Sequence, residues 1–565
     1  MTARTSSARR EEVAFHKQMV RRLKREISQI DRNSRRKYLR EFDEEYRGYS
    51  DVASFDDLVV AAYKADIVYL GDYHALPQSQ HFIARLIDAI AARSRHVHLG
   101  VEMVFGRYQR VLDRWLKGEI DDPEFLKRIR YHQEWGYDWA SFRQILQVAR
   151  ARSLPVLAID CEPRNGFRFI RRRDRYAARR IVGVLEKDPL AKVVVVFGES
   201  HLAAAHLPAR VRELMLSRNL ERRDLVVVQN VEKIYWQLAD QGVPQEDVVR
   251  CAENRFCAFT ASPLAKYEAY RQTLDRWSTE GAGSDEQDFD LTPTLYTMID
   301  TILRFLRVDK YRCPSAGASG ATDFLVDLYP EVYSDVDLRE FRRLLKASGF
   351  DKREIEEVNY HVRRNGSCFL PRLNAIYIGQ FNLVHGGEEA AHFVNMALKG
   401  ELYEQGVRTY PRPDLFYVAV MEEALAFFGS KLIDPRRNHF FETEFYRYYK
   451  KSPEVIERET GYKHAQFCEI IDFILLHKRF ERGYETYPEV PKALLDGING
   501  IEHFNVLTHE LGYFLGQQIY DGYHGGRIRR DEILALFRRR FESGGDALSV
   551  YLDLVAQLDP EATRP

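Results

Sequence analysis

The sequence predicts an α/β domain, a mostly parallel sheet with helices on both faces, followed by a mostly α-helical C-terminal domain. Three observations predict it. Short, nearly continuous apolar runs recur between Asp51 and Asn230, which is how strands buried on both faces read. Segments of helical periodicity separate those runs, the alternation expected of βαβ units. Past the Gly-, Ser- and acid-rich stretch Ser278–Asp290 (STEGAGSDEQDFD), the periodicity is helical almost throughout.

Each element follows in order. Residues 1–50 are basic and polar, and Val13, Met19, Val20, Leu23 and Ile27 recur at helical spacing, so a surface helix packed on the body is expected. Asp66–Gly71 (DIVYLG) is the first strand, and Pro77–Arg93 lines up Phe82, Ile83, Leu86, Ile87 and Ile90 on one helical face. His96–Met103 (HVHLGVEM), Pro155–Asp160 (PVLAID), Lys192–Gly198 (KVVVVFG) and Asp224–Asn230 (DLVVVQN) are further strands. Ile170–Glu186 is an arginine-dense helix, expected as a solvated face paired with nearby acids. Ser262 and Pro263 pair an N-cap with a first-turn proline and open a helix to about Trp277. The expected organisation is a basic helical segment (1–50), an α/β domain (51–277), a linker (278–290) and a helical domain (291–565).

Composition sets the class. The 565 residues carry 84 Lys+Arg against 84 Asp+Glu, which argues against bulk nucleic-acid binding. Hydrophobic content of 45% with 30% charged residues fits a globular protein rather than a disordered one. No run approaches the ~18–20 apolar residues of a membrane span. Met1–Gln29 has no apolar signal core, and the six cysteines form no CxxC pair. A cytoplasmic protein with reduced thiols is expected, and a homodimer is left open.

The chemistry is sought at the strand ends, because parallel α/β folds bind ligands outside the carboxyl ends of their strands. One strand ends in Gly71-Asp72-Tyr73-His74 and another in Gly198-Glu199-Ser200-His201, two copies of Gly-x-x-His at matching positions. Glu102 ends a strand between them, and Asp160 ends a fourth. His74, His201 and Glu102 suit a divalent transition metal with positions left open for water or substrate. The bland reading has Asp72 and Glu199 capping helices while the histidines satisfy buried carbonyls. Arg128–Trp139 (RIRYHQEWGYDW) is aromatic-rich and reads equally as a pocket lining or as a packed helical cap.

Residues from about 55 to 260 resemble the ChaN-like domain of the Tiki superfamily. The resemblance rests on GDYH (71–74), LGVEM (99–103), EWGYDWASFRQIL (134–146), PVLAIDCEPR (155–164), RRRDRYAARRI (171–181) and VVVVFGESH (193–201). It implies haem or iron binding, or, by likeness to the Tiki proteases and erythromycin esterases, metal-dependent hydrolysis of an ester or amide. In the haem reading, His74, His201 or Tyr73 supplies an axial ligand and Arg171 pairs with a propionate. In the hydrolytic reading, iron, manganese or zinc sits on His74, His201 and Glu102, or Glu102 acts as general base, and Arg164 or Arg171 stabilises an oxyanion. The expected partner is a small molecule, either haem or the ester or amide. A non-catalytic scaffold is the third reading. The chain departs from the ChaN pattern in lacking a lipoprotein signal and in carrying the C-terminal half, which the resemblance does not reach.

That half has one motif of its own. Glu389 and His392 form Glu-x-x-His, the spacing that places a carboxylate and an imidazole on one helix face. Glu422 or Glu423, and Glu502 with His509, are candidates to complete a second metal set, against the bland reading of Glu388 and Glu389 as first-turn acids. His509-Glu510 does not open a zinc-protease HExxH, because Tyr513 stands where the second histidine belongs.

Overall fold

In the computed structural model the described residues are 7–31, 37–164, 167–242, 247–280, 290–311, 324–334, 336–403, 412–439, 450–460, 463–484, 498–541 and 546–559. Most of the expected linker (281–289) and Cys313 lie outside them. The chain forms two compact units, divided between Asp285 and Glu286.

The first unit is built on an eight-stranded sheet. Its strands are β1 (Asp51–Ala53), β2 (Ile67–Asp72), β3 (Val97–Phe105), β4 (Val156–Asp160), β5 (Lys192–Gly198), β6 (Asp224–Gln229), β7 (Val248–Ala252) and β8 (Arg255–Ala258), in the order β1-β7-β8-β6-β2-β5-β3-β4. From β8 to β4 every pairing is parallel, while β7 runs antiparallel to both β8 and β1. Every residue of β2 and β5 is buried, because helices cover both faces. Val194 and Val196 belong to one core cluster, and Val193, Val195 and Phe197 to the other. Each such valine stabilises the fold by roughly 1.5–3 kcal/mol. Lys192 at the start of β5 is buried and donates to the carbonyls of Ala62, Tyr63 and Ala65 at the end of helix Phe55–Lys64. A lysine there satisfies carbonyls that the helix itself leaves unpaired.

The five apolar runs became strands within one or two residues of their expected ends. The antiparallel edge did not show in the sequence, because β1, β7 and β8 are short and carry Asp51, Arg250 and Arg255 among their apolar residues. The N-terminal helix, Ser7–Ile30, docks on the unit through Val13, His16, Val20, Leu23 and Ile27. Lys17 and Lys24 pair with Asp240 and Glu232 at 2.8 and 2.7 Å. Its basic residues are therefore partly spent on the protein's own acids.

The second unit is mainly helical, with one addition the sequence did not announce. β9 (Glu331–Tyr333), β10 (Ser367–Leu370) and β11 (Ala375–Ile378) form a small sheet, β10-β11-β9. Its core is helices Leu383–Lys399, Arg412–Ile433 and Ile498–His524. Two glycines let the last two approach closely: a Cβ on Gly512 would lie 2.5 Å from Glu423 Cβ, and one on Gly516 2.6 Å from the Ala424 carbonyl oxygen. Helix His464–Glu481 contributes Glu481, buried between His477 Nδ1 (2.8 Å), Lys478 Nζ (2.8 Å) and the Tyr551 hydroxyl (2.5 Å). No described helix is long and apolar enough to cross a membrane.

Candidate functional site

The pairing of β2 with β5 sets Asp72 opposite Gly198, so the two Gly-x-x-His segments leave the sheet side by side. The strand order differs from the sequence expectation in one respect. β5 lies between β2 and β3, so Glu102 is not on a strand between the histidine strands. It reaches the cluster from the far side of β5, where β3 is irregular between Val101 and Phe105.

Each histidine is anchored by a buried aspartate. His74 Nδ1 lies 2.6 Å from Asp72 Oδ2, and His201 Nδ1 lies 2.6 Å from Asp174 Oδ1. Asp72 also accepts from Ser79 Oγ (3.3 Å) and Gln80 Nε2, so it serves the site more than a helix end. Asp174 also accepts from the Tyr38 hydroxyl at 3.0 Å, and Tyr38 stacks on His206 at 3.6 Å between ring centroids. A carboxylate on Nδ1 fixes the ring and leaves Nε2 for chemistry. His74 Nε2 faces Glu102 Oε2 at 3.7 Å, and the ring packs on Trp135 and Tyr137 at 4.5 and 5.1 Å. Gly198 leaves room there, since a Cβ would come within 3.2 Å of His74 Nε2 and 3.4 Å of Glu102 Oε2 and those side chains would have to give slightly.

Behind the histidines is a buried ion-pair set. Arg173 donates through Nη2 to Glu102 Oε1, and through Nε and Nη2 to Asp160 at 2.7 and 3.0 Å. Gly198 N–H donates to the other Glu102 oxygen at 2.6 Å. Burial pushes the Glu102 carboxyl up, but Arg173, with His74, His201 and Arg164, outweighs burial and holds it well below the usual range. Burial pushes His74 down, and the Asp72 carboxylate, with Glu102, more than reverses this. Nearby, Lys266 Nζ donates to Glu199 Oε1 at 2.8 Å, although burial still leaves that carboxyl above its ordinary range.

The other residues expected from the sequence are spread out. Arg164 stands in the cluster, but its guanidinium is occupied by Asp160 Oδ2 (2.9 Å) and the carbonyls of Glu102 (2.8 Å) and Glu134, and it lies over Phe105 and Trp135. An oxyanion would have to displace those bonds. Tyr73 meets a separate set, the Tyr270 ring at 6.2 Å and Lys266 Nζ at 4.4 Å. Arg171 is exposed on helix Phe167–Lys187, as are Arg172, Arg175 and Arg179. The expectation of a solvated arginine face needs one correction, since Arg173 is only 6% exposed and holds the site's carboxylates. Arg173 and Asp174 were not singled out in the sequence; their signal is an Arg-Asp step on the inward face of an amphipathic helix. The aromatic segment does both of its expected jobs, with Trp135 and Tyr137 against His74 and Tyr131 in the core.

In the second unit, the Glu-x-x-His pair separates. Glu389 accepts from Ser367 Oγ and Phe369 N–H, both at 2.8 Å, while His392 Nε2 faces Glu423 at 3.9 Å. Glu388 pairs with Arg437 and His385 at 2.6 Å each, and Glu422 with Lys399 at 2.9 Å. His509 Nε2 approaches Glu423 at 3.4 Å. The Glu502 side chain lies outside the described residues.

The first unit is thus an α/β domain that gathers anchored imidazoles and buried carboxylates at the carboxyl ends of its parallel strands. Residues 58–172 match the family described as haem-binding uptake, Tiki superfamily, ChaN, and this segment is ChaN-like. A solved structure of ChaN from Campylobacter jejuni, described for cofacial haem binding, is 15% identical, with 32% of this chain and 86% of that chain covered and a TM-score of 0.24. The type III effector HopBA1 is also 15% identical, over 33% and 87%, with a TM-score of 0.26. No curated protein matches the chain.

Proposed function

We propose that the first unit binds a divalent transition-metal ion, iron, manganese or zinc, at the strand carboxyl edge, with His74 Nε2 and His201 Nε2 as its nitrogen donors. The carrying observation is the pair of Nδ1–aspartate bonds at 2.6 Å, the outer-shell arrangement of metal-ligating imidazoles. Charge supports it. Asp72, Glu102, Asp160, Asp174 and Glu199 face Arg164, Arg173 and Lys266, so two negative charges await either imidazolium protons or a dication. Among the described residues no three His, Cys, Asp or Glu side chains already enclose one point, so binding has to draw the imidazoles together.

The family match favours a second reading, haem. An enclosed porphyrin does not fit the donor set as it stands. His74 Nε2 faces inward toward Glu102, and the cavity beside Asp72, Glu102 and Trp135 measures about 10 Å³, room for one water. A haem would have to approach the 20% of the His74 side chain that is exposed. Hydrolysis with Glu102 as base is less well supported, because a carboxylate held this acidic is a weak base at neutral pH.

Absorption spectroscopy and elemental analysis of the purified chain test these readings together. A bound ion without a Soret band, lost in His74→Ala/His201→Ala, is the expected result. A Soret band that shifts in His74→Ala supports haem instead. Neither ion nor haem above background sinks both and leaves a scaffold.

A further inference from the structure

The second unit contains a carboxylate–imidazole cluster that the first unit's chemistry does not use. His392 on helix Leu383–Lys399, Glu423 on Arg412–Ile433 and His509 on Ile498–His524 converge beside a cavity of about 400 Å³. We propose that this cluster is a second divalent transition-metal site, with His392 Nε2, the Glu423 carboxylate and His509 Nε2 as ligands and the remaining positions open to the cavity.

The argument begins with what faces what. His509 Nδ1 lies 2.5 Å from the Asn505 carbonyl oxygen. A carbonyl only accepts, so Nδ1 carries the hydrogen and Nε2 of the neutral ring presents a lone pair. That nitrogen stands 3.4 Å from Glu423 Oε2, and His392 Nε2 stands 3.9 Å from Oε1. These separations are too long for strong hydrogen bonds. They are close to the ~3.3 Å edge between ligands bonded at ~2 Å to a tetrahedral ion. No three such side chains among the described residues already enclose one point, so the ion closes the set by drawing both imidazoles onto the carboxylate.

Charge points the same way. Glu388 is neutralised by Arg437 and Glu422 by Lys399. Glu389 spends both oxygens on Ser367 and Phe369. Among the described residues, the ion-pair partners of Glu423 are the two imidazoles alone. Glu423 thus faces two imidazoles and no ion-pairing Lys or Arg among the described residues, a donor set that a dication would complete. The helix itself positions His509 through the backbone carbonyl of residue 505, while the Asn505 amide nitrogen lies 3.4 Å from Nε2 of His361, whose ring is 5.7 Å from that of His509. Metal sites in helical bundles are assembled in this way, from inward side chains on facing helices.

Zinc binding to the full chain, followed by equilibrium dialysis and calorimetry, tests the site separately from the first. His74→Ala/His201→Ala removes the ion proposed for the first unit and leaves one zinc per chain. Adding Glu423→Gln, which keeps the shape and removes the charge, lowers the affinity for that remaining zinc at least tenfold. Far-UV circular dichroism checks that both variants remain folded, and His509→Gln, expected to give the same loss, serves if Glu423→Gln unfolds. The proposal is overturned if the His74→Ala/His201→Ala chain binds no zinc, or if its zinc is held equally well with Gln at 423 and at 509.

Discussion

Arg173 shows how much one side chain can carry. It donates to Glu102 and to Asp160, and all three are buried. Arg173→Met leaves Glu102 without its guanidinium and Asp160 with Arg164 alone, which is expected to cost about 3–5 kcal/mol. Urea denaturation measures it as a lower midpoint at unchanged slope. Combining Arg173→Met with Glu102→Gln, which leaves Asp160 paired with Arg164, should restore much of the loss, because neutral groups tolerate burial better than unpaired charges. Nothing in the composition of RRRDRYAARR distinguishes this arginine from its neighbours. Only the phase of the helix against the sheet selects it. His74, His201 and Glu102 could be picked out as candidates because a glycine turn and a strand end mark two of them and a buried strand the third; Asp72 lies within the first of those turns, whereas Asp174 comes from a distant helix.

At the level of elements, burial on both faces made the strands easy to read. β2 and β5 sit under helices on each side, so their sequences are continuously apolar. The edge strand β1 has no such cover, and its neighbour β7 is buried only at Val248 and Val249, so neither carries such a signature. Close helix packing was equally hidden. Gly512 reads as an ordinary helix-weakening glycine, yet a Cβ there would press on Glu423 Cβ and, at 2.8 Å, on the Val420 carbonyl oxygen. Gly512→Ala should therefore destabilise the second unit by about 1–3 kcal/mol through overpacking, against the ~1 kcal/mol that alanine normally gains over glycine within a helix. Thermal or urea unfolding followed by circular dichroism decides the sign. A more stable variant would mean that the two helices can move apart without penalty.

For the whole molecule, the acid responses of the two units can be followed separately. Burial pushes the Glu481 carboxyl up, but Lys478 and His477 reverse this and hold it at about 2. A carboxylate depressed in the folded state stabilises above its unfolded pKa, and that stability fades as pH falls toward the folded value. The loss should run from about pH 4.5 to about 2 and amount to roughly 3 kcal/mol. All 5 tryptophans, at 115, 135, 139, 236 and 277, belong to the first unit, so tryptophan emission follows that unit while near-ultraviolet tyrosine dichroism adds the second. Glu481→Gln should flatten the tyrosine-detected acid limb and leave the tryptophan-detected one in place. An unchanged tyrosine limb would remove Glu481 from the account.

The strand order also governs the birth of the protein. β2 finds its neighbours in β5 and β6, and neither exists until the ribosome has passed Gly198 and Gln229. Through that interval, strand Ile67–Asp72 leaves the exit tunnel with both edges bare and the first histidine already attached. The stretch 58–172 holds β2, β3 and β4 but not the strand that joins them. It also ends one position before the guanidinium that Glu102 and Asp160 require. The shortest piece able to fold alone must therefore reach well beyond the matched segment. During synthesis, protection of that exposed strand falls to chaperones or to speed.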